Sequence, residues 1–132
     1  GNAGLSDSLA PCLAFCRTLM GCEVSGKPLP EWNLLGFTPA ELRERSQNPQ
    51  KYFGIGHLMP DVSLGIWCAE LNRLRALSRE VELAAVTAFV QPDGSAQRED
   101  LLQGYNRLSS AFYLLMLQTA SAERKKGEQT DE

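Results

Sequence analysis

Apolar residues recur every three to four positions through most of the chain, and no stretch alternates with period two for long enough to make a strand. The spacing predicts a first helix from about Ser8 to Met20, on Leu9, Leu13, Cys16 and Met20. Pro11 is tolerable there only in a first turn, and Gly21 is a plausible stop. Residues 23–37 read as a loop punctuated by Gly26, Pro28, Pro30 and Gly36. Its apolar Trp32, Leu34, Leu35 and Phe37 suit a segment that packs down on a core. Thr38-Pro39-Ala40-Glu41 has the composition of a helix start: a cap, a proline at the first position, and a glutamate that closes a capping box. That helix ends before Asn48-Pro49, and a second punctuated segment follows from Tyr52 to Pro60.

From Asp61 or Ser63 to about Val90 the pattern is a long helix. Its three-four repeat on Trp67, Leu71, Leu74, Ser78, Val81, Ala85 and Ala88 is the seam of an antiparallel bundle. Gln91-Pro92-Asp93-Gly94 is a turn. Ser95 then caps a last helix to about Ala122, with Leu101, Tyr105, Leu108, Phe112 and Leu115 on one face. The expectation is an all-α, up-and-down helical bundle over residues 1–122, with a looped crossover before the long helix. A charged, frayed tail would span residues 123–132.

Composition narrows the class of protein. With 132 residues, 43% of them hydrophobic, the chain forms one globular domain with a real core. A net charge of −3 argues against a nucleic-acid binder, whose surface usually carries a basic face. No apolar run is long enough for a membrane span. No basic region precedes an apolar run at the start, so no secretory signal is read. Cys12, Cys16, Cys22 and Cys68 lack both C-x-x-C spacing and a nearby histidine. They are expected to be reduced, packed thiols, with the cytoplasm as the default compartment.

Candidate chemistry concentrates on the two long helices. Asn72, Arg75, Arg79 and Glu82 follow one another at spacings of three, four and three, so they form one stripe bordering the apolar seam. Two guanidiniums side by side repel unless an anion lies between them, and a polyphosphate offers arginine bidentate geometry. Glu82 is placed to orient Arg79 or Arg75. The alternative is a solvated face with intrahelical ion pairs. On the last helix Asn106 and Arg107 interrupt an apolar stretch and need partners, which Glu82 is placed to supply; the alternative is a salt bridge that only fixes register. His57 is the sole histidine, in a loop where a structural role is the plainer reading. Gly54-Ile55-Gly56 lacks the residues of a Walker-type phosphate loop.

Four segments, in order and at matching spacing, resemble the ethanolamine-utilisation type cob(I)alamin adenosyltransferases: His57-Leu58-Met59-Pro60-Asp61, Leu71-Asn72-Arg73-Leu74-Arg75, Arg79-Glu80-Val81-Glu82 and Asn106-Arg107-Leu108-Ser109-Ser110. The similarity spans about residues 15–120. It implies transfer of the 5′-deoxyadenosyl group of ATP to the cobalt of cobalamin, with Mg2+ accompanying the nucleotide. It also implies catalytic roles for Arg79 and Glu82. Arg75 would bind ATP phosphates, Asn106 and Arg107 would close the same site, Asn72 would be a further cofactor-binding residue, and His57 would lie near the corrin. A homo-oligomer, dimer or trimer, is implied as well. The family's Lys-rich N-terminal phosphate-binding segment, its first bundle helix and its Cys-rich metal motif have no counterpart here. Gly21 stands where the family usually has an arginine. Two readings therefore stay open: an adenosyltransferase domain, incomplete or inactive alone, and a non-catalytic helical module that binds a corrinoid or a partner. A third, a helical unit serving only assembly, needs no ligand at all.

Overall fold

The computed structural model describes residues 2–54 and 65–130, with side chains for 7–54 and 65–122. Among these residues five helices follow in order: α1 (Asn2–Ser25), α2 (Pro39–Gln47), α3 (Pro49–Phe53), α4 (Gly65–Phe89) and α5 (Glu99–Thr130). Helix α5 is the axis of the bundle, and each of the other four packs against it. Every residue from Ala111 to Leu117 is buried, so α5 is apolar all round here and not on the single face read from the sequence. Leu101, Leu114, Met116 and Leu117 are among its fully enclosed side chains, joined by Leu19 of α1, Leu42 of α2 and Leu71 of α4. Among the described residues there is no β-strand, only two isolated bridges, Leu34 with Phe37 and Val90 with Ala96. No described helix is long and apolar enough to cross a membrane.

The boundaries of α1 differ from those expected. The helix continues through both Pro11 and Gly21. An interior proline costs about 3 kcal/mol. Burial of Cys12, Phe15 and Leu19 against the core offsets that cost. The actual stop is Gly26, whose φ of 74° is the left-handed conformation a helix end demands, with its N–H bonded to the Cys22 carbonyl at 3.0 Å. Helix α1 approaches α5 closely because Gly104 has no side chain: a Cβ there would lie 2.5 Å from Leu19 Cδ2. The capping box of α2 forms as predicted, Thr38 Oγ1 accepting from Glu41 N at 3.2 Å and Glu41 Oε1 from Thr38 N at 3.0 Å. The chain then turns at Asn48 directly into α3, a short helix that was not expected.

Helix α5 starts at Glu99, four residues after the expected Ser95 cap. Ser95 instead closes the preceding turn, its N–H and hydroxyl both donating to Asp93 Oδ1. At the far end the backbone of α5 stays helical to Thr130, where a frayed tail was expected. The start of α5 is pinned to the segment after α1 by Asp100 and Arg98. Asp100 accepts from Arg98 Nε and Nη2, Leu101 N and Leu29 N. Arg98 Nη2 also donates to the Lys27 carbonyl at 2.8 Å. The hydrogen bonds from Arg98, then those from Leu29 and Leu101, hold the Asp100 carboxyl down at about 2. A carboxyl lowered by folding stabilises above its unfolded value, near 3.8, and loses that contribution as pH falls through the folded one. Acid titration followed by circular dichroism should therefore show stability falling between about pH 4 and pH 2. Asp100→Asn should flatten that slope and cost about 1–2 kcal/mol at neutral pH.

The phase of α4 is the correction that matters for function. The side of α4 that meets α5 carries Cys68, Leu71, Arg75, Ser78, Glu82, Ala85 and Phe89, a three-four repeat offset from the expected one. Leu71, Ser78 and Ala85 are common to both. The expected seam residues Trp67 and Val81 are 44% and 48% exposed, and Ala88 is exposed too. With Leu77, at 45%, they form an apolar stripe on the flank of α4. The middle of the α4–α5 seam is thus polar, with half-buried Arg75 and Glu82 between Leu71 and Ala85.

Candidate functional site

Where the seam turns polar the bundle opens into a cavity of about 580 Å³, lined from three helices: Arg75, Arg79 and Glu82 of α4, Asn106, Arg107, Ser109, Ser110 and Tyr113 of α5, and Arg43, Ser46 and Gln47 of α2. Five of the candidate residues named from the sequence meet here. Asn72 is half-buried on α4 but lies outside the lining. His57 falls outside the described residues.

One carboxylate organises the polar groups. Asn106 Nδ2 donates to both Glu82 oxygens, at 3.0 and 3.2 Å. Arg107 Nη1 in turn donates to Asn106 Oδ1. Glu82 therefore orients Arg107 through Asn106; among the described residues it makes no ion pair with Arg75 or Arg79, the partners expected from spacing. The hydroxyls of Ser109 and Ser110 are spent on the Asn106 carbonyl one turn back, at 2.8 and 3.4 Å.

Four guanidiniums face this single carboxylate, a large excess of positive charge for one small space. Arg75 stacks over the Tyr113 ring, 4.9 Å from its centroid. Burial, and then Arg79 beside it, push its pKa down. Arg107 is likewise lowered, first by burial and then by Arg43. Its Nε is buried with no hydrogen-bond partner among the described residues. Such an atom costs on the order of 1–3 kcal/mol, more where the group is charged. The guanidiniums of Arg43 and Arg79 make no hydrogen bond or ion pair among the described residues. The intrahelical ion pairs of a solvated face are found elsewhere on α4, in Arg73 with exposed Glu70. Mutually repelling cations, one with an orphaned buried donor, form an arrangement that a multiply charged anion would complete.

Sequence reading passed over Arg43, Ser46 and Gln47. Arg43 lies on a short, highly charged helix, and only the crossing of α2 over α5 brings it to the cavity. The four cysteines stand apart from the site and are unbridged. Burial, with Cys16 adding to it, pushes the Cys12 thiol up to about 12, the state of an inert packed thiol.

Fold and cavity together define an all-α bundle with a strongly cationic cavity between its long helices. The chain is 34% identical over 117 residues to the corrinoid adenosyltransferase EutT of Escherichia coli K12, and 35% identical over 117 residues to that of Salmonella typhimurium LT2. Each alignment covers 86% of this chain and 44% of the relative, so the chain spans less than half the length of the curated proteins it matches. The resemblance drawn from the four segments is thus a similarity over most of this chain to part of a corrinoid adenosyltransferase. No protein-family model matches the chain, and no solved structure matches it.

Proposed function

We propose that this chain is an adenosyltransferase-type domain that seats the triphosphate of ATP against its arginine cluster and presents the nucleotide's 5′ carbon to a reduced corrinoid. The observation that carries this reading is the convergence of Arg75, Arg79 and Arg107, with the Glu82–Asn106 pair, on one cavity, together with the similarity to corrinoid adenosyltransferases. In the reaction cob(I)alamin attacks C5′, a cobalt–carbon bond forms, the C5′–O bond breaks, and triphosphate carries away the electron pair. The chain's contribution is to bind and orient the nucleotide and to offset charge gathering on the leaving triphosphate. Arg79 and Arg75 neutralise phosphoryl oxygens. Glu82 holds Asn106, and Asn106 aims Arg107 from the opposite helix.

Magnesium would enter with the nucleotide, held mainly by phosphate and water. Among the described residues Glu82 is the only carboxylate lining the cavity, and both its oxygens already accept from Asn106, so these residues build no seat of their own for the ion. Asn72 belongs to this proposal as a cofactor-binding group beside the cavity, and His57 as a group near the corrin. A homo-oligomer belongs to it too, supported by the exposed stripe of Trp67, Leu77 and Val81 on α4, whose apolar area association would cover.

The test is a spectrophotometric adenosylation assay with ATP and chemically reduced cobalamin. Formation of adenosylcobalamin that is lost in Arg79→Ala supports the reading. Cobalamin binding without any adenosylated product would favour a non-catalytic corrinoid-binding module instead.

A further inference from the structure

We infer that Arg43, carried on α2 and not on either long helix, is a specificity-determining residue that makes the cavity prefer longer polyphosphates to shorter ones. This rests on the reading of the cavity as a phosphate seat. The last turn of α2 faces the site through Ser46 and Gln47. A helix presents its carbonyl end there, with partial negative charge, so the backbone of α2 opposes anion binding. Ser46 is spent on the Arg43 carbonyl at 3.0 Å. The other charges of α2 and its surroundings are also engaged: Glu41 closes the capping box, and Arg45 lies over the Phe37 and Tyr52 rings and within 3.8 Å of Glu41. Glu44 pairs with Lys51 at 3.6 Å. Arg43 alone is left without an ion pair among the described residues, and it is the one cation that α2 contributes to the lining.

Its placement explains why length is the property it reads. Arg75 and Arg79 stand one turn apart on α4, and Arg107 faces them from α5, so these three serve an anion of any length. Arg43 enters from a third element, near enough to Arg107 to depress that group's pKa. It therefore widens the cationic surface beyond the α4–α5 seam. Each additional phosphoryl group brings at least one further negative charge, and only a chain long enough to leave the seam reaches the guanidinium on α2. The open, polar volume of about 580 Å³ accommodates such a chain.

Calorimetric titration of the full chain with phosphate, pyrophosphate and tripolyphosphate, for wild type, Arg43→Gln and Arg43→Lys, tests this. Wild type should bind in the order tripolyphosphate, pyrophosphate, phosphate. Arg43→Gln should lose about tenfold or more for tripolyphosphate and less than about twofold for phosphate, the loss of one charge-assisted contact by the longest ligand alone. Arg43→Lys should recover part of that preference, since it keeps the charge without the fork. Equal losses for all three anions, or none, would overturn the inference while leaving the phosphate seat standing. Failure of wild type to bind any of them would overturn both. Arg43 is exposed and its guanidinium is bonded to no described residue, so its substitution should leave the melting temperature unchanged, which is checked alongside.

Discussion

Arg75→Ala/Arg79→Ala should weaken binding of ATP or tripolyphosphate by at least about a hundredfold, while the ligand-free protein melts no earlier than wild type. The two halves of this expectation come from the same contact. Burial, and then Arg79 beside it, depress the pKa of Arg75, so the pair repel in the cavity. Removing them relieves that repulsion and lowers the charge density around Arg107. With a polyanion present the same two groups each make charge-assisted hydrogen bonds, worth about 1.5–3 kcal/mol apiece, and two of them account for a hundredfold or more. Calorimetry reads the affinity and differential scanning fluorimetry the stability. A pair of arginines that only stabilised the bundle would show the opposite signs: a lower melting temperature and no change in affinity.

Leu114→Ala should destabilise the fold by about 3–4 kcal/mol, lowering the melting temperature by roughly 10–15 °C in thermal unfolding. Leu114 is 0% exposed, in the stretch of α5 that is enclosed on every side. Truncation there leaves a void inside the axis of the bundle, with helices against α5 on several sides, and no single neighbour can relax far enough to fill it. The equivalent truncation of Leu77, 45% exposed on the flank of α4, should cost well under 1 kcal/mol in the isolated chain. The contrast separates the core that α5 organises from the stripe that α4 leaves open.

Much of this architecture could be read in the amino-acid order, because it rests on local chemistry. The start of α2 is settled by the reciprocal hydrogen bonds of Thr38 and Glu41, four residues that carry their own instructions. The turn at 91–94 and the last helix behind it are marked by Pro92, Asp93 and Gly94. Periodicity failed where the site lies. Two heptad phases of α4 share Leu71, Ser78 and Ala85; one adds Trp67, Leu74 and Val81, the other Cys68, Arg75 and Glu82. Hydrophobicity favours the first, yet the fold buries Cys68 and turns Trp67 and Val81 outward, keeping only Leu74 of the first phase's own residues packed against the core. The stripe of Arg75, Arg79 and Glu82 was nonetheless visible, since its borderline position did not depend on choosing the phase correctly. Pro11 and Gly21 misled for a different reason: intrinsic preference inside α1 is overridden by the burial of Phe15 and Leu19 in the core. Arg43 left no trace in any pattern, as its role depends on where α2 crosses α5.

The claim that four guanidiniums and one Glu82–Asn106 pair form a polyphosphate seat is tested most directly by 31P NMR of ATP titrated with the wild-type chain. The β and γ resonances should shift and broaden more than the α resonance, and the perturbation should disappear in Arg75→Ala/Arg79→Ala. A spectrum that stays unperturbed at millimolar nucleotide with the folded wild-type protein in excess, or one perturbed equally by the double variant, would contradict it.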